Sequence, residues 1–189
     1  MATSPSDIKS SYPLPAYNYR VTILFGSTLA IPKVADVAAN ADLGTVISCS
    51  EVSGLNMEIE TITYKHGFSF LTGMDIIPGQ KKEVQLTIKK GVTKNSRYFS
   101  DWINLVYPVI AGLPVSLVQK RDVLIDLCDE NGDAVVRWVI TKAMPIKLEA
   151  PTFDATTNDV AFEQLHLVAS QIRVDYLNSS SIISAFKNG

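Results

Sequence analysis

An Asn-Gly dipeptide, Asn131-Gly132, separates two alternating segments in the second half of the 189-residue chain. Apolar and polar residues alternate over 123–128 and again over 134–141. Alternation with period two is typical of a half-buried strand, and Asn-Gly readily adopts the positive φ angles of a tight hairpin turn. The pattern therefore predicts two antiparallel strands, and the remainder of the fold has to be compatible with such a sheet.

Alternation recurs along most of the chain. It predicts further strands near 17–25, 45–64, 84–88, 115–118, 159–169 and 171–176, the second of them interrupted at Ser53-Gly54. Between 64 and 82 the residues Gly67, Gly73, Pro78 and Gly79 break the pattern. Because Pro-Gly is a turn dipeptide, we expect a long loop over this range.

The segment over 99–106 has the period of a helix instead. Asn95 or Ser96 can cap its start, and Pro108 cannot continue it, so the helix is predicted to be short. A helix, a turn and a short strand also account for the uncharged stretch 102–119, which is otherwise long enough to suggest a membrane span. The apolar residues of the helix follow the spacing i, i+3, i+4 and i+7: Phe99, Trp102, Ile103 and Val106.

About seven strands and a single helix predict a mainly β fold, an antiparallel β-sandwich or barrel with one flanking α-helix. We expect one domain over 17–176, with an inserted loop at 27–45. Residues 1–16 are predicted to form an N-terminal arm, and 177–189 a polar C-terminal tail. The first twenty residues hold no apolar run like that of a signal peptide, which predicts synthesis in the cytoplasm.

The charge of the chain excludes some functions. Its 17 basic and 19 acidic residues give a net charge of −2, whereas a general polyanion binder has a basic excess. The pairs Lys81-Lys82 and Lys89-Lys90 lack the interleaved aromatic residues of a single-strand binder, and lysines that protect an edge strand explain them as well. Charged residues form only 19% of the chain, below the roughly 25% that is usual. Either the fold is unusually compact or part of its surface is covered.

Catalytic and metal-binding patterns are missing from the sequence. His66 lies in the predicted loop and His166 in a strand, and neither is part of a nucleophile motif. The two cysteines, Cys49 and Cys128, are predicted to be reduced, and with the histidines they show no zinc-ligand spacing. The acidic residues near 126–133 lack the spacing of a calcium loop. We therefore expect no enzyme activity, no metal and no cofactor.

Short segments spread along the chain match a known family in order and spacing. Together they resemble the tail tube proteins of contractile phage tails and of phage-tail-like contractile injection systems. The resemblance covers 12–176. The matching segments are YPLP at 12–15, SEVSGL at 50–55, ITYKHG at 62–67, PGQ at 78–80, LTIKKGV at 86–92, FSDWI at 99–103, Trp138 with KAMP at 142–145, and PTFDATTNDVA at 151–161.

The resemblance implies a structural function. Tail tube proteins form hexameric rings whose inner strands join into a continuous barrel, and the rings stack into a hollow tube inside a contractile sheath. The implied partners are further copies of the chain, the sheath protein, the baseplate or spike hub proteins, and a luminal cargo of protein or DNA without sequence-specific contacts. A membrane is involved only as the pierced target, and the tube belongs to a phage tail or a phage-tail-like particle, released or anchored.

Ring assembly suggests a use for the predicted loop at 64–82. Because a long loop cannot easily bury its own backbone, we expect it to contact a neighbouring subunit or ring. Deletion of 68–73 should then give a folded protein that does not polymerise. The candidate contact residues are Tyr64, His66, Gly67, Phe68, Phe70, Pro78, Gly79 and Lys81.

Some alternatives remain open at the level of sequence. The insertion and the C-terminal tail are extra relative to short tube proteins, so the chain is either the main tube subunit or a tube-initiating paralogue at the baseplate or spike hub. A ligand-binding β-barrel would require an apolar interior pocket. Phage tail, injection system and secretion tube are not distinguished, and alternation does not reveal which strand faces line the lumen.

Overall fold

The computed structural model describes residues 13–25, 44–65, 67, 73–94, 97–106, 120–156 and 158–177. These ranges contain ten strands and one helix, which confirms the mainly antiparallel β class. The elements are β1 Tyr19–Leu24, β2 Gly44–Ile47, β3 Glu51–Ser53, β4 Ile59–Tyr64, β5 Asp75–Lys81, β6 Val84–Gly91, α1 Tyr98–Val106, β7 Arg121–Cys128, β8 Ala134–Glu149, β9 Phe162–Ala169 and β10 Gln171–Tyr176.

Two sheets share the long strand β8. Its first half lies between β7 and β10 and belongs to sheet A, which has the order β2-β1-β7-β8-β10. Its second half pairs with β9 and belongs to sheet B, which has the order β8-β9-β6-β3. Strands β4 and β5 form a separate two-stranded ribbon. All of these pairs are antiparallel.

Lys142 marks the point where β8 passes from one sheet to the other. Its φ angle is 55°, in the left-handed region that non-glycine residues rarely adopt. Its amide donates a hydrogen bond of 2.8 Å to Asp122 Oδ1, and the β7–β8 register shifts between Arg121 and Val123. A local irregularity of this kind bends a strand, so one chain segment can contribute to both layers.

The core lies between the two sheets and is closed by α1. Phe99 and Trp102 of the helix are fully buried, which confirms the predicted apolar stripe. The Arg121 guanidinium lies 5.1 Å from the ring centroids of Phe25, Tyr98 and Trp102 and donates a 2.5 Å hydrogen bond to the Tyr98 hydroxyl. These contacts attach the helix to β7. The strand residues that complete the core include Val21, Ile23, Leu86, Ile88, Val123, Ile140, Leu165 and Leu167.

The predicted hairpin at 123–141 is confirmed as β7 and β8. At its tip, Asp129 Oδ1 accepts hydrogen bonds of 2.9 Å from the amides of Asn131 and Asp133, and Gly132 has a φ of 86°. Asp129 thus stabilises the turn of this hairpin. Of the other acidic residues in this region, Asp126 is fully buried beside Arg137.

Other predictions of local structure were wrong. The loop expected over 64–82 contains strand β5, and Pro78 and Gly79 lie within it. Each strand of a two-stranded ribbon has one side without a neighbouring strand. Pro78 is tolerated on that side because its missing N–H removes no hydrogen bond between strands. The strand expected over 45–64 is interrupted after Ser53, as predicted, but a further break divides its first part into β2 and β3.

The lysines of β6 also differ from expectation. The strand is internal, between β9 and β3, so its lysines do not protect an edge. Lys90 is 5% exposed, and its Nζ lies 2.9 Å from Glu163 Oε1.

Several predictions fall outside the described residues. They are the helix cap at 95–96, the strand at 115–118, most of the arm at 1–16, most of the insertion at 27–45 and most of the tail at 177–189. At the end of the expected insertion, Gly44 and Thr45 belong to β2.

Candidate assembly surface

The β4–β5 ribbon continues the β3–β6 pair beyond sheet B. The chain leaves β3 through Gly54 to enter β4, and it returns from β5 to β6 through Lys82, whose amide donates to the Glu58 carbonyl at 3.1 Å. Gly54 has a φ of 86°, and a Cβ at this position would lie 2.1 Å from the Gln85 carbonyl oxygen. Only glycine fits such a backbone approach. The base of the ribbon is therefore held tightly against β6.

Apolar side chains of the ribbon are exposed. Ile76 is 71% exposed, and the other large apolar residues of the ribbon are about half exposed or more. Ile62 and Ile77 pair on one face of the ribbon, and Ile76 lies on the opposite face. An isolated two-stranded hairpin is marginally stable in water, and exposed apolar patches usually mark an interaction site. The ribbon is the part of the described chain that most clearly requires a partner. Its exposed apolar residues are Ile59, Ile62, Tyr64, Met74, Ile76 and Ile77.

The contact residues proposed from the sequence lie partly on this ribbon. Tyr64 ends β4 opposite Asp75, and Lys81 ends β5 opposite Ile59. Gly79 lies inside β5, where a Cβ would come within 3.0 Å of the Glu60 carbonyl oxygen.

The remaining proposed positions are less informative. Pro78 lies opposite Thr61 within the ribbon, and Gly67 is exposed at a turn. His66, Phe68 and Phe70 lie outside the described residues.

Sequence reasoning missed the isoleucines of the ribbon. Ile62 and Ile77 are direct cross-strand partners, and Ile76 lies opposite Thr63. Alternation predicted a strand that extends to residue 64, but the turn signal of Pro78-Gly79 obscured the matching strand β5. Cross-strand apolar pairs stabilise a sheet, so a search for a pairing partner of β4 could have found them.

Open sheet edges form the second part of the candidate surface. Within the described ranges, β3 pairs only with β6, β10 only with β8, and β2 only with β1. Each of these strands therefore has one side without a strand partner in the described parts of the chain, and an edge of this kind can pair with another chain. The ribbon and these edges together allow lateral contacts.

A ligand-binding barrel holds its ligand between the strands of its interior, which in the described residues is the core between the two sheets. The core positions between the sheets are filled by large side chains that include Trp102 and Phe99. The apolar hollow of about 370 Å³ beside Leu14, Leu55 and Trp138 is open to the surface. This arrangement disfavours the ligand-binding alternative.

The described residues offer no catalytic or metal site. They contain no group of three potential metal ligands. His166 Nδ1 lies 3.0 Å from Thr87 Oγ1, and its Nε2 lies 3.3 Å from Glu149 Oε1, without a cysteine or serine nucleophile beside it. None of the described helices has the length and hydrophobicity of a membrane span.

Both cysteines are free thiols, as predicted. Burial raises the pKa of Cys49 to about 12, although Lys90 opposes the shift. Burial also raises the pKa of Cys128, while Arg20 opposes that shift. Both thiols therefore stay protonated at neutral pH.

We expect the folded protein to react very slowly with N-ethylmaleimide at pH 8. The shift of Cys49 from its ordinary pKa of 9.0 to about 12 lowers the thiolate fraction about a thousandfold. Mass spectrometry after timed labelling measures the rate, and the same protein in urea provides the control, in which both thiols should react quickly. Equal rates in the folded and unfolded protein would contradict the burial of these thiols.

Comparison with known proteins identifies a family that this chain matches. The sequence profile described as T4-like virus tail tube protein gp19 matches residues 15–173. Searching curated protein sequences produced no significant match.

Solved structures agree with the profile. A chain of an extracellular contractile injection system, the PVC sheath-tube complex in the extended state, is 29% identical with a TM-score of 0.70; the alignment covers 93% of this chain and 100% of that one. A chain of the anti-feeding prophage cap is 30% identical with a TM-score of 0.65, covering 88% and 93%. A chain of the anti-feeding prophage baseplate, at 20% identity and a TM-score of 0.69 over 89% and 99%, shares the fold.

Proposed function

The chain belongs to the T4-like virus tail tube protein gp19 family, and we propose that it builds the inner tube of a contractile injection system from stacked hexameric rings. It is a structural, tube-type subunit. Residues 17–176 carry the tube domain in this proposal. The observation that carries it is the β4–β5 ribbon, whose large apolar side chains are from 46% to 71% exposed in the single subunit.

Closure of a ring would cover both the exposed apolar ribbon and the open sheet edges. Side-by-side contacts cover the ribbon, and edge strands pair between neighbours instead of remaining open. A head-to-tail contact repeated around an axis closes into a ring when its rotation allows. Obligate interfaces are large and relatively apolar, which accounts for the low charge content of 19%.

The comparisons support an injection-system tube more than the alternatives. The sheath-tube complex chain is 29% identical and matched over its whole length, and the cap chain is 30% identical. Within this proposal we favour the main tube subunit over a tube initiator. The partners in this proposal are further copies of the chain, a sheath, a baseplate with its spike hub, and a cargo inside the tube.

We expect purified protein to form rings or hollow tubes and the Ile76→Lys variant to stay as monomers. A lysine on the most exposed apolar position of the ribbon places a charge where the neighbouring subunit would pack, and burying an unpaired charge is costly. Negative-stain electron microscopy and sedimentation velocity measure the assembly state.

Ile76→Val is the matched control, because it keeps the apolar character and the β-branched shape of the side chain. It should assemble like the wild type. Circular dichroism should be the same for all three proteins, since residue 76 lies outside the core. Tubes formed normally by Ile76→Lys would contradict a role for the ribbon, and a wild type that remains monomeric at high concentration would contradict the proposed function itself.

A further inference from the structure

We propose that Phe153 of one subunit inserts into an open apolar hollow beside β3 of the neighbouring subunit in the ring. This inference rests on the proposed tube function and adds a specific contact between two copies of the chain. It is argued from an exposed aromatic ring at one edge of sheet B, a hollow at the other edge, and the register that places both at the same end of the sheet.

Phe153 is presented to the outside by a short turn. Its exposure of 85% is as high as that of any large apolar side chain in the described residues. Directly after it, Asp154 Oδ1 accepts hydrogen bonds of 2.8 and 2.7 Å from the amide and the hydroxyl of Thr156, which stabilise the turn. A single exposed apolar residue is ordinary, so the case for a partner depends on a matching recess.

The matching recess is the surface hollow of about 370 Å³ described above, which is called the β3 hollow below. Small-molecule pockets occupy roughly 300–1,000 Å³, so the β3 hollow is small for a ligand and suits one large side chain. Its lining is mainly apolar and comes from both sheets and from the segment before β1. The apolar lining residues include Leu14, Ala16, Val52, Leu55, Ile125 and Trp138.

The register of sheet B places the aromatic ring and the β3 hollow at the same end of the sheet. Glu149 of β8 pairs with Gln164 of β9. Gln164 pairs with Lys89 of β6, and Lys89 pairs with Glu51 of β3. Phe153 comes four residues after the first member of this row, and the last member lines the β3 hollow. The two features therefore lie at opposite edges of the sheet, three strand spacings or roughly 14 Å apart.

Opposite edges of one sheet meet when subunits associate side by side. Within the described ranges, β3 pairs only with β6, and the second half of β8 pairs only with β9 in sheet B. The four strands alternate in direction, so β3 of one subunit beside β8 of the next continues the antiparallel order. A contact between two different surfaces of the same chain is head-to-tail, and its repetition closes a ring when the rotation allows.

The spacing of paired strands makes the insertion possible between neighbours. Adjacent strands lie roughly 4.8 Å apart, and four residues of extended chain span at most about 14 Å. Phe153 can therefore reach the rim of the β3 hollow on an adjoining subunit. The hollow of its own subunit lies beyond β9 and β6, in agreement with the exposure of this ring in the single subunit.

Charge does not provide the attraction at this contact. Two lysines and four carboxylates lie on or beside the two surfaces, so the local balance is negative. Some of these charges are already paired within the subunit, and salt screens the others. The apolar ring must therefore supply the binding energy. The charged residues are Glu51, Lys89, Lys147, Glu149, Asp154 and Asp159.

Tryptophan fluorescence tests whether the β3 hollow is filled in assembled tubes. Of the two tryptophans, Trp102 is 0% exposed, whereas Trp138 is only partly buried and lines the hollow. Acrylamide should quench Trp138 in dissociated subunits. In tubes the quenching constant of this accessible component should fall at least threefold, because Phe153 covers the indole. An unchanged quenching constant on assembly would overturn the inference.

A pair of substitutions tests which side chain fills the β3 hollow. Phe153→Ala removes the inserted ring, and Ala16→Phe places a ring of the subunit's own chain at the mouth of the hollow, where residue 16 is exposed. Each change alone should raise the protein concentration required for tube assembly at least tenfold, measured by sedimentation velocity and negative-stain electron microscopy. The double variant should be no worse than the weaker single variant, because both changes remove the same contact.

The outcomes separate this contact from the proposed function. Failure of the wild type to form rings or tubes would reject the function. Normal assembly of Phe153→Ala, or single effects that multiply in the double variant, would overturn the contact while the tube function stands. Phe153→Leu is the matched control, since it keeps a large apolar side chain, and it should assemble within threefold of the wild-type concentration.

Discussion

Replacement of Gly54 by alanine is expected to lower the free energy of unfolding by about 3 kcal/mol or more and to prevent tube assembly. The glycine has a φ of 86°, and an added Cβ would lie 2.1 Å from the Gln85 carbonyl oxygen and 3.0 Å from the Leu86 Cα. Both neighbours are backbone atoms of β6, so no side-chain rotation relieves the overlap. Strand β3 would have to move away from β6, and the ribbon would lose its fixed base.

Gly132→Ala is the matched control for this prediction. Its φ is also 86°, but a Cβ there meets no heavy atom within 4 Å. The control therefore isolates the cost of a left-handed alanine, about 1 kcal/mol, and tube assembly should continue. Urea unfolding followed by circular dichroism measures both variants. Equal losses for the two alanines would show that the contact with β6 is unimportant.

The structural features that were predicted correctly are those determined by residues close together in the sequence. Asn131 and Gly132 specify a turn through their own backbone preferences, and the helical stripe with Phe99 and Trp102 follows from its period alone. Both are present in the structure.

The features that sequence reasoning missed depend on distant partners. Pro78 and Gly79 favour a turn locally, yet pairing with β4 draws them into a strand. Lys90 alternates as an inward residue, but its burial depends on Glu163 of β9. Alternation also gives each strand two faces, and only the packing shows that the outer face of sheet A is covered while that of sheet B is open.

The low content of charged residues in this chain can be related to one surface of the subunit, the β4–β5 ribbon. Composition left two explanations, a compact fold or a covered surface. The ribbon supports the second, since Ile62, Ile76 and Ile77 are from 46% to 71% exposed in the single subunit. Scattered exposed apolar residues are ordinary, but these lie together on one two-stranded element. In the proposed ring, a neighbouring subunit would cover these residues, and this would account for the low charge content of 19%.

Replacement of Arg137 by glutamine is expected to lower the free energy of unfolding by about 3–5 kcal/mol. Arg137 Nε and Nη2 donate hydrogen bonds of 2.6 and 2.9 Å to the two carboxylate oxygens of Asp126, which is 0% exposed. The hydrogen bonds to Asp126 are the main reason that the pKa of Arg137 is raised. Without Arg137, the buried Asp126 carboxylate would lose both hydrogen bonds and keep only Arg20, opposite it on β1, as a positive neighbour, and breaking a buried ion pair is costly.

Arg173→Gln provides the control, because the same two-bond geometry occurs there at the surface. Arg173 Nε and Nη2 donate to Asp175 at 2.8 Å each, and the arginine side chain is 62% exposed. Water replaces a lost partner at such a site, so the change should be about 1 kcal/mol or less. Urea unfolding at neutral pH compares the two variants. If both arginines contribute equally, burial is not what makes the Asp126–Arg137 pair important.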